Sequence, residues 1–146
     1  MAKLEDVAKF CMCYNFRKTS RAITQFYDKA LEPSGLAITQ LSLLVGLSIS
    51  KSPTITKIAS EMIMDRTTLT RNLNHLQKQG LIKIEQGNND KRKRNISITY
   101  KGKKILAEAI PLWEKAQYNM IKKFGRENYG VMLSNLLEII KLANYK

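Results

Sequence analysis

The spacing of apolar residues changes at Gly80. Before it, two short stretches follow a helical repeat, and Thr54 and Asp65 stand where helix N-caps are expected. After it, "LIKIEQ" and "RNISIT" alternate apolar with polar residues, which is typical of half-buried strands. Two short helices in quick succession, followed by a hairpin, predict a helix-turn-helix with a β-hairpin wing.

Longer helical patterns flank this segment. One unbroken helix is predicted over about 4–31, and Thr39 is the predicted N-cap of a second, largely apolar helix. Beyond the hairpin, a helix over about 101–124 precedes a final helix with apolar residues on several sides. Burial of the apolar residues on such a terminal helix requires a partner, and a second copy of the chain is the simplest partner. The expected fold class is mostly α with a small β-hairpin wing.

The chain carries a large excess of positive charge. Lys and Arg number 25 against 12 Asp and Glu, which gives a formal net charge of +13. This excess predicts attraction to a polyanion, either nucleic acid or an anionic membrane surface. No apolar run approaches the roughly eighteen residues that cross a bilayer, and the N-terminus lacks the features of a signal peptide. We therefore expect a cytoplasmic protein that does not insert into a membrane.

Residues suited to catalysis or metal binding are scarce. His75 is the only histidine, and no metalloprotease, hydrolase or P-loop motif occurs. Cys11 and Cys13 offer no disulfide framework, and together with His75 they fall short of the four ligands of a structural zinc site. The sequence predicts a protein that is not an enzyme and uses no metal or cofactor.

The helix predicted after Asp65 has an apolar face and a polar face. With Leu69, Leu73 and Leu76 at the centre of the buried face, a rotation of about 100° per residue places hydroxyl, amide and cationic side chains opposite. Arg can bind guanine bidentately, Asn can bind adenine, and Thr can contact bases or phosphates. The candidate DNA-binding residues on this helix are Arg66, Thr67, Thr68, Thr70, Arg71, Asn74, His75 and Lys78. Taken alone, the pattern fits equally well an amphipathic helix whose polar face is only solvated.

Four consecutive cations follow the turn-forming segment 87–90 between the two predicted strands. From Lys83 to Lys104 there are eight cations against two acids, more positive charge than a solvated loop needs. The candidate DNA-binding residues of the wing are Lys91, Arg92, Lys93 and Arg94. The alternative is a basic membrane-surface or protein-interaction module. Membrane binding calls for Trp, Phe or Leu beside the cations, and "GNNDKRKRN" offers none.

Together these segments resemble the multiple-antibiotic-resistance regulator (MarR) family of bacterial transcription factors over nearly the whole chain. The stretch from Thr54 to Ile84 is similar to the family's helix-turn-helix, and "DKRKRNISITYKGKKIL" is similar to its wing and the Thr-led helix that follows. One departure is Ile63, where similar proteins often have Gly in the turn between the helices. Because a β-branched residue tolerates positive φ poorly, we expect the turn to take another form.

The resemblance implies a transcriptional regulator, more often a repressor, that binds a pseudo-palindromic operator in double-stranded DNA as a homodimer. It divides a single domain, 1–146, into a winged helix-turn-helix region of about 37–100 and a helical dimerisation region of about 1–32 and 101–146. The two recognition helices would enter successive major grooves about 34 Å apart.

The same resemblance assigns roles within the wing. Its Asp-x-Arg element is matched by Asp90 and Arg92. Asp90 is expected to brace the wing, and Arg92 is expected to reach towards the minor groove. The neighbouring Lys91, Lys93 and Arg94 are expected to add phosphate contacts.

The segment "CMCYNFRKTSRAITQFYDKAL" resembles the N-terminal helix of the family's organic-hydroperoxide-sensing branch. There a reactive Cys lies eight residues before an Arg and fourteen before a Tyr, and Cys13, Arg21 and Tyr27 match both spacings. Arg17 stands where that branch has a second Tyr, and at one helical turn from Cys13 it can stabilise a thiolate. The sequence therefore offers Cys13, Arg17 and Tyr27 as a candidate redox switch.

Two alternatives to this switch stay open. A free Cys on a helix is commonly a small buried apolar side chain without a redox role. The resemblance also allows a small aromatic or lipophilic acid as effector, bound in the crevice between the dimer helices and the winged region.

Overall fold

The computed structural model describes residues 3–50, 53–86 and 94–143. The elements, in chain order, are α1 (Leu4–Phe10), α2 (Met12–Leu31), a 3₁₀ turn (Glu32–Ser34), α3 (Ile38–Ile49), α4 (Ile55–Glu61), α5 (Arg66–Lys78), β1 (Ile82–Gln86), β2 (Arg94–Ile98), α6 (Tyr100–Phe124) and α7 (Arg126–Ala143). The two strands pair antiparallel, with Ile82 opposite Ile98 and Ile84 opposite Ile96. The predicted fold class, mostly α with a β-hairpin, is confirmed.

The N-terminal helix is broken, contrary to the prediction of one unbroken helix. Cys11 takes an extended conformation, with φ −67° and ψ 116°, and thereby separates α1 from α2. The Asn15 side-chain amide donates hydrogen bonds to the carbonyl oxygens of Lys9, at 3.3 Å, and Cys11, at 3.0 Å. Helical periodicity extends across the break, so the apolar pattern alone does not reveal it.

The start of α3 also differs from the prediction that Thr39 caps it. The N-cap residue is Ala37, whose backbone N–H donates to the side chain of Gln40 at 2.9 Å. Asp28 of α2 accepts a hydrogen bond from the backbone N–H of Ile38 at 2.7 Å. Thr39 lies inside the first turn because Asp28 and Gln40 already accept from backbone N–H groups at this helix end.

One hydrophobic core joins the end of α2 to α3, α4, α5, the hairpin and α6. Its fully buried members include Leu31, Leu44, Ile58 and Leu73, all with 0% of their surface exposed. By contrast, the described residues of α1 and α7 include no buried side chain. The core therefore lies in the winged part of the chain and where α2 and α6 pack on it.

No single helix of the described residues is long and apolar enough to cross a membrane. The segments Met12–Ser34 and Ile38–Ile49 reach the necessary length and composition only as a pair bent by 76°. Within that pair, Leu41, Leu43 and Leu44 of α3 are buried in the core.

Candidate nucleic-acid interface

Helix α5 begins and ends where its sequence predicts. The Asp65 carboxylate caps it by accepting a hydrogen bond from the backbone N–H of Thr68, at 2.8 Å. Hydrogen bonds from the side chain and then the backbone of Thr68 lower the pKa of Asp65, so the cap is a carboxylate at neutral pH. At the other end, Gly80 adopts φ +73°, a left-handed conformation that suits glycine.

The turn between α4 and α5 contains a strained residue. Ile63 has φ +51°, so the turn is left-handed and the expectation that it would take another form is wrong. Its backbone N–H donates to Ser60 O at 3.2 Å, and the next N–H, of Met64, donates to Ala59 O at 2.9 Å. These helix-ending hydrogen bonds hold the turn in shape despite the β-branched side chain.

The two faces of α5 lie as the sequence predicts. Leu69, Leu73 and Leu76 are at most 1% exposed. On the opposite side the exposed residues are Arg66, Thr67, Arg71, Asn74, His75 and Lys78, while Thr68 and Thr70 are half-buried. All of these except Thr68 line an open groove of about 630 Å³. The structure thus brings the predicted α5 residues together on one outward surface.

This outward surface is positively charged. The groove-lining residues include the cations Arg66, Arg71 and Lys78 and no carboxylate. Hydroxyl, amide and imidazole groups lie between the cations and can donate or accept hydrogen bonds. Double-stranded DNA matches this chemistry, because its phosphates are anionic and the base edges in its grooves donate and accept hydrogen bonds.

The β1–β2 hairpin follows α5 directly. Ile82 and Ile96 are buried on its inner face, and Lys83, Glu85 and Arg94 are exposed. Of the predicted wing residues, Arg94 is described, at the start of β2. The others, Asp90, Lys91, Arg92 and Lys93, lie outside the described residues.

A junction after the hairpin ties three elements together. The Thr99 hydroxyl donates to the carbonyl oxygen of Gly80 at 2.7 Å and accepts from the backbone N–H of Gly102 at 3.0 Å. The Lys101 ammonium group donates to the carbonyl oxygen of Gln79 at 2.9 Å. In the sequence, Lys101 is one of the eight cations between Lys83 and Lys104. In the structure its ammonium group is the hydrogen-bond donor to a carbonyl oxygen at the C-terminal end of α5.

A further hydrogen bond holds the same end of α5. The side-chain amide of Gln40, in α3, donates to the side-chain oxygen of Gln79 at 3.0 Å. The sequence pattern does not identify Gln40, Gln79 or Thr99 as supports of the candidate interface. A Thr-x-x-Gly pattern at the start of α6 was the available signal for Thr99, because such a Thr caps a helix.

The candidate redox residues do not meet within one chain. Tyr27 is buried, and its hydroxyl donates a hydrogen bond to the side-chain oxygen of Gln117, whose amide donates to Tyr129 at 2.8 Å. Burial, and secondarily the nearby Tyr129, raises the pKa of Tyr27. Cys13 is exposed, and along α2 it lies roughly 21 Å from Tyr27. Arg17 is exposed one turn after Cys13, as predicted.

Within residues 3–50, 53–86 and 94–143, no three His, Cys, Asp or Glu side chains are grouped so that they could hold a metal ion. Cys11, Cys13 and His75 lie in different parts of the fold, the cysteines beside the α1–α2 break and His75 on the outer face of α5.

Two short helices joined by a tight turn, followed by a hairpin that packs on the same core, define a winged helix-turn-helix protein. Comparison with known proteins agrees. A sequence profile of the MarR family matches residues 36–93. The M. tuberculosis transcriptional regulator MosR, in complex with DNA, is 35% identical, covers 92% of this chain and 99% of its own, and superposes with a TM-score of 0.80.

Curated relatives are more distant. The HTH-type transcriptional regulator BilQ of Clostridioides difficile is 23% identical over 111 residues, 76% of this chain and 75% of BilQ. The organic hydroperoxide resistance transcriptional regulator of Bacillus subtilis is 27% identical over 101 residues, 69% of each chain. The chain belongs to the MarR family of transcriptional regulators.

Proposed function

We propose that this regulator is a repressor that binds a pseudo-palindromic site in double-stranded DNA as a homodimer. The observation that carries the proposal is the outward surface of α5, where cations, hydroxyls and an amide lie together without a carboxylate. The net charge of +13 supports it, because phosphate neutralisation supplies much of the affinity of DNA-binding proteins.

Within α5, the residues near the start reach the base edges. Thr67, Thr68, Thr70 and Arg71 lie in the first half of the helix, the part that enters the major groove in helix-turn-helix complexes. Arg71 is the strongest candidate for base readout, since its guanidinium can bind guanine bidentately. The remaining candidates, Arg66, Asn74, His75 and Lys78, extend the contact to adjacent bases and phosphates.

The wing extends this interface to the flanking DNA. In the proposal Asp90 braces the wing and Arg92 reaches the minor groove, while Lys91, Lys93 and Arg94 contact phosphates. Among the described residues, Arg94 supports this part of the proposal, because it is exposed at the start of β2 and directly follows Lys93 in the chain. Each phosphate contact is expected to add roughly 0.9 to the slope of log affinity against log salt concentration.

The homodimer is supported by the apolar residues of the terminal helices. In α1 and α7 the side chains of Leu4, Phe10, Leu137 and Leu142 are each at least 60% exposed. A second copy that buries these side chains against its own would remove a large apolar surface from water. In this proposal about 1–32 and 101–146 form the dimerisation region, and about 37–100 bind DNA.

Selection of DNA fragments tests the proposal. Wild-type protein, incubated with a random-sequence duplex pool, is expected to enrich one sequence with two half-sites related by twofold symmetry. The half-site centres are expected to be one helical turn apart, about 10 base pairs. Recovery of fragments without any shared sequence would contradict sequence-specific recognition.

We also propose that oxidation of Cys13 releases the DNA. Cys13 is exposed, so a peroxide can reach it, and the cation Arg17 follows one turn later on the same helix. Within one chain Tyr27 lies roughly 21 Å from Cys13 along α2, so it can join such a site only from a second copy of the chain. Peroxide is expected to release DNA from wild type and not from Cys13→Ser.

Equal release from the wild type and from Cys13→Ser would contradict the redox switch. The alternative proposal is a small aromatic or lipophilic acid as effector. Its test is a titration of the protein–DNA complex with salicylate, used as a generic aromatic acid, with release expected at concentrations that leave the protein folded.

A further inference from the structure

The C-terminal end of α5 is held by side chains of the segment that begins α6. The last carbonyl groups of a helix have no partners within the helix and need donors from elsewhere. Here Gln79 O accepts from the Lys101 ammonium group at 2.9 Å, and Gly80 O accepts from the Thr99 hydroxyl at 2.7 Å. Thr99 follows β2 immediately and Lys101 lies in the first turn of α6, so the end of the hairpin is linked to the end of α5.

Thr99 makes three of the contacts at this junction. Besides its bond to Gly80, its hydroxyl oxygen accepts from the backbone N–H of Gly102 and caps α6. Its own backbone N–H donates to the carbonyl oxygen of Leu81, at 3.0 Å, one residue before β1 begins. A single residue therefore contacts the end of α5, the entry to the hairpin and the start of α6.

The start of α6 packs closely against the hairpin at this junction. A Cβ atom on Gly102 would lie 2.1 Å from Leu81 O and 2.7 Å from Cγ2 of Ile98. Real Cβ atoms do not approach that closely, so α6 meets the hairpin at backbone contact distance. The hairpin cannot turn relative to α5 without breaking the hydrogen bonds of Thr99 or moving α6.

We propose that Thr99 is a positioning residue for DNA binding, which fixes the hairpin at the angle to α5 that lets both contact one duplex. The inference rests on the proposed function, in which α5 and the hairpin bind DNA together. It assigns to Thr99 a role without contact to DNA, carried by the hydroxyl that joins Gly80 to Gly102. Thr99→Val removes that hydroxyl with little change of shape, and Thr99→Ser keeps it.

The first measurement needs no DNA. Amide residual dipolar couplings report the orientation of β1 and β2 relative to α5 in the folded protein. Thr99→Val is expected to change the couplings of the hairpin while those within α5 stay consistent with the wild-type helix. Thr99→Ser is expected to match the wild type. If Thr99→Val does not fold, Thr99→Asp takes its place, because Asp can accept from Gly102 N–H and cap α6 but cannot donate to Gly80 O.

The second measurement is the affinity for a duplex selected by the wild type from a random pool. Loss of the hydroxyl is expected to weaken binding roughly tenfold, about the effect of one or two hydrogen bonds, and Thr99→Ser is expected to restore it. Affinity of Thr99→Val within twofold of the wild type would overturn the inference. So would a loss of affinity without reorientation of the hairpin, or an equal loss in Thr99→Ser. If the wild type selects no duplex, the proposed function fails, whereas the dipolar couplings still test the geometry of the junction.

Discussion

The carboxylate of Asp65 accepts a hydrogen bond from the backbone N–H of Thr68, with 2.8 Å between Oδ1 and N. This contact caps the helix that carries the candidate DNA-binding surface. Because hydrogen bonds from the side chain and backbone of Thr68 lower the pKa of Asp65, the folded state binds its proton more weakly than the unfolded chain does.

The stabilising effect of the Asp65 carboxylate is therefore expected to depend on pH. It is fully present above the pKa of an unfolded Asp, about 3.9, and is lost as pH falls through the lower folded pKa. Asp65→Asn also caps the helix but does not titrate. The difference in unfolding free energy between the wild type and Asp65→Asn is expected to be constant above about pH 5 and to shift in favour of Asn below pH 4. Denaturant unfolding at a series of pH values measures this difference in unfolding free energy. A difference that does not change with pH would contradict the lowered pKa of Asp65.

Replacement of Ile63 by Gly is expected to stabilise the protein. A left-handed conformation costs a β-branched residue roughly 1–2 kcal/mol, and Ile63, which is 56% exposed, loses little burial when it is truncated. The gain in unfolding free energy is expected to be about 1 kcal/mol after the greater freedom of Gly in the unfolded chain is included. Ile63→Ala is the control, because it removes the same exposed side chain while most of the backbone penalty stays. Equal stability of the two variants would show that φ at this position is not strained.

Gly102 and Gly46 are expected to respond in opposite ways to replacement by Ala. A Cβ at Gly102 would collide with backbone atoms of Leu81, so Gly102→Ala is expected to lower the unfolding free energy by about 2–3 kcal/mol. At Gly46, inside α3, the nearest atom to a Cβ is the Met62 sulfur at 3.9 Å, an ordinary contact. Gly46→Ala is expected to raise stability by up to about 1 kcal/mol through helix propensity. Chemical denaturation of both variants measures the contrast, and a neutral Gly102→Ala would mean that the junction can relax.

Local signals in the sequence were enough to predict the part of the fold that carries the candidate interface. The caps at Thr54 and Asp65, the left-handed end at Gly80 and the leucine face of α5 each involve residues close in the chain. The alternation of isoleucines likewise predicted which face of the hairpin is buried, as Ile82 and Ile96 show.

Features that depend on distant residues could not be predicted in this way. Helix α3 starts earlier than expected because Asp28, ten residues away in α2, accepts from Ile38 N–H. The role of Lys101 depends on Gln79, twenty-two residues away, and in the sequence it is one cation among many. Ile63 keeps a left-handed conformation because the surrounding helices hold the turn, although its own backbone preference opposes it.

The buried Tyr27 hydroxyl is expected to make the protein sensitive to alkaline pH. Burial, followed by the neighbouring Tyr129, raises its pKa, so the unfolded chain loses this proton at lower pH than the folded protein does. The stability that Tyr27 contributes is complete below about pH 10 and declines as pH rises from there towards the folded pKa. Thermal unfolding between pH 8 and 11 is expected to show a shallower alkaline decline for Tyr27→Phe than for the wild type. Tyr118→Phe, which changes a tyrosine that is 62% exposed, is the control and is expected to follow the wild type.

The central claim, that the outer face of α5 reads DNA, is tested most directly by the affinity of Arg71→Ala for a duplex selected by the wild type. Lys29→Ala is the matched control, because it removes one exposed cation from α2, away from that face. Arg71→Ala is expected to weaken binding to the selected duplex by roughly 1–3 kcal/mol and to bind a scrambled duplex with nearly wild-type affinity. Lys29→Ala is expected to leave both affinities within twofold of the wild type. An equal loss of affinity for the selected and the scrambled duplex would show that Arg71 contacts a phosphate and does not read a base. Wild-type affinity of Arg71→Ala for the selected duplex would contradict the claim that the outer face of α5 reads DNA.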